Sequence, residues 1–260
     1  MSGIDERVVR LMSLRETGQY EEALALLLAL FAEAAHASVP ARRALFAVML
    51  EWQFLVEEFE PARAALAEAR DAQVMQLLAG DLFFEQGYAQ GEDVPEYRRQ
   101  ARYALTIDMN EILQDAHATR DLFVRLEAVQ PDLAQGRAWR ALPAIVEVND
   151  FALADRYRGK PLAMLEPVNE SAAHFPVLPP GRTAPRLAAE MMILTRDVRI
   201  AIAVLRGLGR PDEAAALREA LLAGLASDEL REVAGRELDE PGTINRLLVA
   251  HQMAQETPPP

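Results

Sequence analysis

Leu187, Met191, Leu194, Val198, Ile202 and Leu205 recur at intervals of three and four residues. That spacing gathers side chains on one face of an α-helix and scatters them on a strand, so it predicts a helix over residues 186–207. The same interval runs through the rest of the chain. Val8, Leu11 and Leu14 mark a helix over 4–17, and further helices are expected over 20–37 and 41–57. A fourth ends near Asp71, with another over 72–87. Later ones come over 96–116, 118–130, 131–148, 212–225, 228–238 and 242–254. Pro143 is expected to kink or interrupt the 131–148 helix, because a proline in a helix interior removes one backbone hydrogen bond. The helix over 41–57 is apolar over much of its circumference, through Phe46, Met49, Leu50 and Trp52 to Phe54, which predicts burial on more than one side. Trp52 and Trp139 both sit in helical apolar patterns and are expected in the core. The fold class is all-α.

A short turn pattern punctuates these helices. Gly18, Tyr20, Ala23 and Leu27 give a flexible residue, an aromatic two positions later, then a small residue and a leucine on one helical face. Phe59, Ala62, Leu66 and Ala69 repeat the aromatic and its apolar successors 39 residues on. Asn149, Phe151 and Ala154 form a third instance, and Gly209 and Ala214 a fourth, opened by Pro211 and Asp212. The pattern resembles the tetratricopeptide-repeat (TPR) superfamily, in which such positions pack one helical hairpin against the next and carry no catalytic role. The resemblance covers four short windows. It implies stacked helical hairpins, as a TPR-like solenoid or a distorted α-α superhelix, with a more globular helical bundle as the other all-α arrangement. Residues 20, 59, 151 and 211 are separated by 39, 92 and 60 positions, whereas a strict repeat of this kind has a period of about 34. Ala35, Val74 and Ala226 stand where the terminal proline of a repeat belongs.

The expected organisation is one all-helical domain over residues 1–254. Its parts are TPR-like hairpins over 1–90, a helical middle over 96–157, a proline-rich connection over 158–185 and C-terminal helices over 186–254. A tail over 255–260 is expected to be disordered. The connection holds Pro161, Pro167, Pro176, Pro179, Pro180 and Pro185, with one short helix expected over 162–173; long connections of this kind are often functional.

Net charge is −13, which argues against general binding to nucleic acid or an anionic membrane, where lysine and arginine do most of the holding. The imbalance is concentrated. Residues 1–130 carry 22 acidic against 12 basic side chains, and residues 131–260 carry 18 against 15. With no cysteine, disulfides, thiolate metal sites and cysteine nucleophiles are excluded, a usage that fits the cytosol. No secretory leader is read at the N-terminus, and the apolar run over 23–32 is far short of the ~20 residues that span a bilayer. Lys160 is the sole lysine, and the alanine and leucine excess points to a GC-rich coding background. A bacterial cytoplasmic protein is the expectation.

Chemistry-bearing motifs are sparse. His36, His117, His174 and His251 are scattered, with no Glu-x-x-His. No serine stands in a nucleophile elbow, and no glycine-rich phosphate loop occurs. No catalytic residue, metal ligand or cofactor is therefore assigned. Two features suit a partner. The first is an acidic zone in two windows without a basic residue, one between Arg43 and Arg63 holding Glu57, Glu58 and Glu60 and one between Arg70 and Arg98 holding Asp81, Glu85, Glu92 and Asp93, which would steer a basic protein. The second is the loop over 166–185, with Asn169, His174, Phe175 and Arg182 among prolines that lower the ordering cost on binding. The leading functional reading is a non-enzymatic protein–protein interaction scaffold, an adaptor, chaperone or immunity-type inhibitor, that binds a basic protein or peptide through an acidic helical surface. Homo-oligomerisation through exposed leucine faces is a further option. The competing reading is an enzyme or a small-ligand or metal-binding protein with a pocket near residues 108–115 and 166–185. There Asp108, Glu111 and Asp115 share one helical stripe.

Overall fold

The computed structural model describes residues 6–36, 41–84, 99–181 and 183–256. Over these the chain is all-α, with thirteen helices and a single β-bridge between Phe83 and Ala101. Its contacts divide it into two compact units, Met1–Ala141 and Leu142–Pro260. In the first lie α1 (Glu6–Glu16), α2 (Tyr20–His36), α3 (Ala41–Glu58), α4 (Glu60–Leu78), α5 (Arg102–Leu113) and α6 (Ala116–Val129). The division falls within α7 (Pro131–Glu147). The second unit holds α8 (Phe151–Tyr157), α9 (Leu165–Ala172), α10 (Arg186–Gly207), α11 (Pro211–Gly224), α12 (Asp228–Asp239) and α13 (Thr243–Glu256).

Five of the thirteen helices stop by a shared device. Gly18, Gly80, Gln114, Asn149 and Gly209 all take left-handed backbone geometry, with φ between 56° and 95°. At each, two N–H groups fold back on the helix just ended. Gly18 N–H donates to Arg15 O at 3.0 Å and Gln19 N–H to Leu14 O at 2.9 Å. The equivalent pairs recur at Gly80 and Asp81, Gln114 and Asp115, Asn149 and Asp150, and Gly209 and Arg210. These Schellman closures satisfy carbonyls that a helix end leaves bare and reverse the chain within two residues. The α3–α4 junction differs, since Phe59 alone separates the two helices in extended geometry.

In the first unit α1 packs on α2 and α3, α3 on α4 and α5, and α4 on α5 and α6. Trp52 is fully buried; its indole N–H donates to Ala62 O at 3.0 Å, and Phe31 meets its ring edge-on at 5.3 Å. Tyr20 and Phe59, the aromatics of the first two turn patterns, stack on one another at 5.7 Å, while Ala23, Leu27, Ala62 and Leu66 lie buried. Arg102 is buried too. It donates to Gln73 Oε1, to the Asp81 carboxylate at 2.7 Å and to the Asp81 and Phe83 carbonyls, so that residues 81–83 are pinned to the start of α5.

In the second unit α10 is the hub, packing on α8, α9, α11 and α12. Leu187, Met191, Leu194, Val198 and Ile202 are buried as their spacing predicts, and Ile200, Ala201 and Val204 are buried as well. Glu237, itself buried, accepts from Gly242 N–H and Ile244 N–H, both at 2.8 Å, and so caps α13 from the preceding helix. Asn169 clasps the α11–α12 connection, donating to Gly224 O at 2.8 Å and accepting from Ala226 N–H at 2.9 Å.

Several expectations need correction. There is no helix end at Asp71. The stretch Asp71-Ala72-Gln73 offers no glycine or proline, Gln73 and Leu77 keep facing the core, and α4 continues to the left-handed Gly80. The break expected near residue 117 sits at Gln114-Asp115, where a left-handed residue precedes a capping aspartate. Pro143 does not interrupt α7, a loss limited to one i→i−4 bond in a helix whose Ala134, Ala138, Ala141 and Ile145 are buried. Trp139 is 46% exposed and not a core residue, because it lies off that alanine face.

Gly207, the last residue of α10, sits against the ring of Phe151, and a Cβ there would stand 2.2 Å from Phe151 Cδ2. Gly207→Ala should therefore lower the unfolding free energy by about 1–3 kcal/mol. In a denaturant double-mutant cycle the same change should cost less when Phe151 is already alanine. Equal costs in both backgrounds would show that the ring is not the obstacle.

Candidate functional site

α3 carries more apolar surface than the core of its unit uses. Leu45, Val48, Trp52 and Leu55 face inward, whereas Phe46, Leu50 and Phe54 succeed one another at intervals of four and remain exposed, Phe46 by 71%. The expectation that α3 is buried on more than one side thus fails on this face. Apolar circumference alone does not distinguish a helix wrapped by neighbours from one with an open apolar face.

The two ends of the face are furnished differently. Over Phe54 lies the guanidinium of Arg15, 5.0 Å from the ring centroid. Arg15 is held by the buried carboxylate of Glu51 at 2.9 Å and by Glu58 at 3.6 Å. Around Phe46 the surface opens into a pocket of about 390 Å³, lined by Phe46, Met49, Leu50 and Gln53 of α3 and by Asp108, Glu111 and Ile112 of α5. Among the described residues no cation of the chain lies over the Phe46 ring. Asp108 pairs with Arg140 of α7, while Glu111 has no hydrogen-bond or ion-pair partner among the described residues.

Asp108 titrates above the usual aspartate range, because partial burial penalises its charge by more than Arg140 returns. Glu111 is shifted the same way by partial desolvation, with Arg140 opposing and Asp108 adding repulsion. The Asp108 side chain is nevertheless 44% exposed and Glu111 is exposed as well, so solvent screens both shifts. Nearby Tyr103 is buried with its hydroxyl unpaired among the described residues, and burial pushes the phenol well up.

The three-carboxylate stripe is not assembled. α5 ends at Leu113, and the turn at Gln114 carries Asp115 off it. Asp115 instead caps α6, accepting from Ala118 N–H at 2.9 Å, and stands 3.4 Å from Arg70. Arg70 in turn donates to the buried Asn110 at 2.8 Å. Among the described residues no group of three or more histidine, aspartate or glutamate side chains comes together as a metal ion would need.

The acidic zone is partly committed to structure. Glu57, Glu58 and Glu60 are exposed where α3 meets α4, with Glu58 lying beside Arg15, whereas Asp81 is bound by Arg102. Glu85, Glu92, Asp93 and Arg182 lie outside the described residues. In the second unit His174 and Phe175 are exposed and line a hollow of about 300 Å³ with Val177, Leu187 and Glu229. Arg186 reaches to 5.2 Å from the Phe175 ring centroid, and Val177 beside it is buried. A shallower cleft of about 590 Å³ runs along Leu162, Leu165, Glu166, Asn169 and Gly224. Asn169 there is spent on backbone rather than offered to a ligand. Sequence reading singles out Asp108 and Glu111 as possible pocket residues but not their pairing with α3, because the two sets of lining residues lie more than fifty residues apart. On α3 the only local signal is an excess of apolar side chains.

No protein-family model, curated protein or solved structure matches the chain. No helix among the described residues is long and apolar enough to cross a membrane.

A carboxylate whose charge is disfavoured in the folded state contributes nothing to neutral-pH stability that an amide could not. Asp108→Asn is expected to leave the unfolding free energy unchanged or raised at pH 7. Because folding raises the Asp108 pKa, wild type regains stability as pH falls through that titration, so the gap between the two proteins should close in acid. Urea titrations of both proteins across pH 4–7 read this directly. A clear destabilisation by Asp108→Asn at neutral pH would mean that the Arg140 pair outweighs burial.

Proposed function

We propose that this protein is a non-enzymatic interaction scaffold of the TPR-like helical-hairpin kind, which binds a basic protein or peptide through the acidic, apolar-floored surface of its first unit. The observation that carries the proposal is the pocket on α3, where an exposed aromatic face runs into two carboxylates of α5. Its lining offers apolar contact and negative charge, which suits the docking of a cationic side chain. The charge balance of the chain agrees, since the excess of carboxylates is concentrated in the same half. Long-range attraction from such a surface speeds encounter with a cationic partner and weakens with salt.

The hairpin character is supported by the order of packing. Each of α1, α3 and α4 touches helices one and two places further along. The matched aromatics Tyr20 and Phe59 also stack between successive turns. Such a scaffold presents a face made of alternate helices, and α3 and α5 are alternate helices. An adaptor, a chaperone and an inhibitor of a basic toxin all work through a surface of this type, in a bacterial cytoplasm on the compositional reading.

The test is capture from lysate of the native host on the tagged protein at low and high salt, with wild type beside a Glu57→Lys, Glu58→Lys, Glu60→Lys variant. One basic protein should be retained at low salt, reduced at high salt and weakened at least about tenfold by the triple reversal. Retention indifferent to both salt and charge reversal would sink the electrostatic reading.

A further inference from the structure

Resting on that reading, we infer that the pocket between α3 and α5 receives one arginine side chain of the basic partner, with the guanidinium stacked on Phe46 and hydrogen-bonded to Glu111 and Asp108. The protein builds the same arrangement for its own use two turns along α3. There Arg15 lies over the ring of Phe54 while Glu51 and Glu58 hold its nitrogens. At Phe46 the aromatic and the pair of carboxylates are again together, and no arginine of the described chain covers the ring. Charge complementarity fixes the sign of the occupant. Among the described side chains Asp108, Glu111 and Arg140 sum to one net negative charge, and the Glu111 carboxylate makes no hydrogen bond or ion pair there. The walls fix its shape. Met49, Leu50 and Ile112 suit a chain of methylenes, and a weakly hydrated planar cation stacks on an aromatic ring and meets carboxylates side-on more readily than a compact ammonium. The raised titration of Asp108 accords with this, since an incoming cation would relieve a charge the folded protein holds at a cost.

The experiment uses the full chain with labelled methionine, leucine and isoleucine methyl groups. It is titrated with an acetylated, amidated peptide carrying one arginine among alanines, and with the same peptide carrying lysine or citrulline in its place. The arginine peptide should shift the Met49, Leu50 and Ile112 methyls in a saturable way. The lysine peptide should bind several-fold more weakly and the citrulline peptide should leave these methyls unmoved. Phe46→Ala and Glu111→Gln alter exposed positions and should each weaken the arginine peptide by about tenfold, with melting temperature and the remaining methyl spectrum unchanged. Glu60→Gln, outside the pocket, should have no such effect. Absence of shifts at the three methyls in millimolar peptide, or undiminished binding in either pocket variant, overturns the inference. The two ideas fail separately. A salt-sensitive basic partner that binds Phe46→Ala and Glu111→Gln as tightly as wild type, yet is lost on reversal of Glu57, Glu58 and Glu60, leaves the scaffold and removes the arginine pocket.

Discussion

The turns that stop five of the helices set the path of much of this fold. A helix that ends without partners strands its last carbonyls, and a chain of short helices multiplies that cost. Here one left-handed residue and two returning N–H groups solve the problem five times, at Gly18, Gly80, Gln114, Asn149 and Gly209. Glycine adopts this geometry freely, whereas glutamine and asparagine do so at a cost of up to about 1–2 kcal/mol. At those two positions the next residue is an aspartate whose side chain accepts from the new helix, Asp115 from Ala118 N–H and Asp150 from Leu153 N–H. Such a cap contributes about 1 kcal/mol, so each of these strained reversals leads straight into a capped start. Reversal and restart are thus coupled within two residues, and that fixes where successive helices can pack.

Much of this was legible in the chain. The interval of three and four residues placed α10 to the residue, and the turn pattern placed the starts of α2, α8 and α11 close to where they occur. These signals are local, because they depend on residues that interact within one or two helical turns. The misreadings arose where a local signal was ambiguous. Near Asp71 a weakening of apolar pattern resembled a helix end, though only Gly80 has the backbone freedom to make one. Trp139 matched an apolar pattern, but the buried face of α7 is the narrow alanine one. Phe46 and Leu50 looked like core because hydrophobic content records potential for burial, and what covers a helix is decided by distant segments. The carboxylate stripe of Asp108 and Glu111 was visible in its own stretch, but its pairing with Phe46 and Leu50 is long-range and left no trace in either stretch alone.

Arginine explains why so acidic a chain shows few free carboxylates in its interior. Arg102 serves Gln73, Asp81 and Phe83 at once, and Arg70 ties α4 to Asn110 of α5 and to Asp115 at the start of α6. Arg15 secures Glu51 inside the first core. The planar fork of this side chain lets one buried cation satisfy several acceptors in fixed directions, which a lysine would not do. Removing an acceptor from such a junction would leave a guanidinium partly unpaired in low dielectric, so these carboxylates are bound to the scaffold rather than exchangeable with it. Over the α3 pocket Asp108 is likewise paired with Arg140, whereas the Glu111 carboxylate has no such pair among the described residues.

The order of packing also bears on how the molecule comes to be. Among the described residues the principal helix contacts join elements one or two places apart in sequence, from α1 with α2 and α3 to α12 with α13. Contacts of that kind close short loops and need little long-range search, and chains built on them fold quickly for their length. Each hairpin of the first unit can find its neighbours soon after leaving the ribosome, before the distal helices exist. The same stepwise geometry that leaves one face of α3 open therefore lets this chain acquire its structure in the order in which it is synthesised.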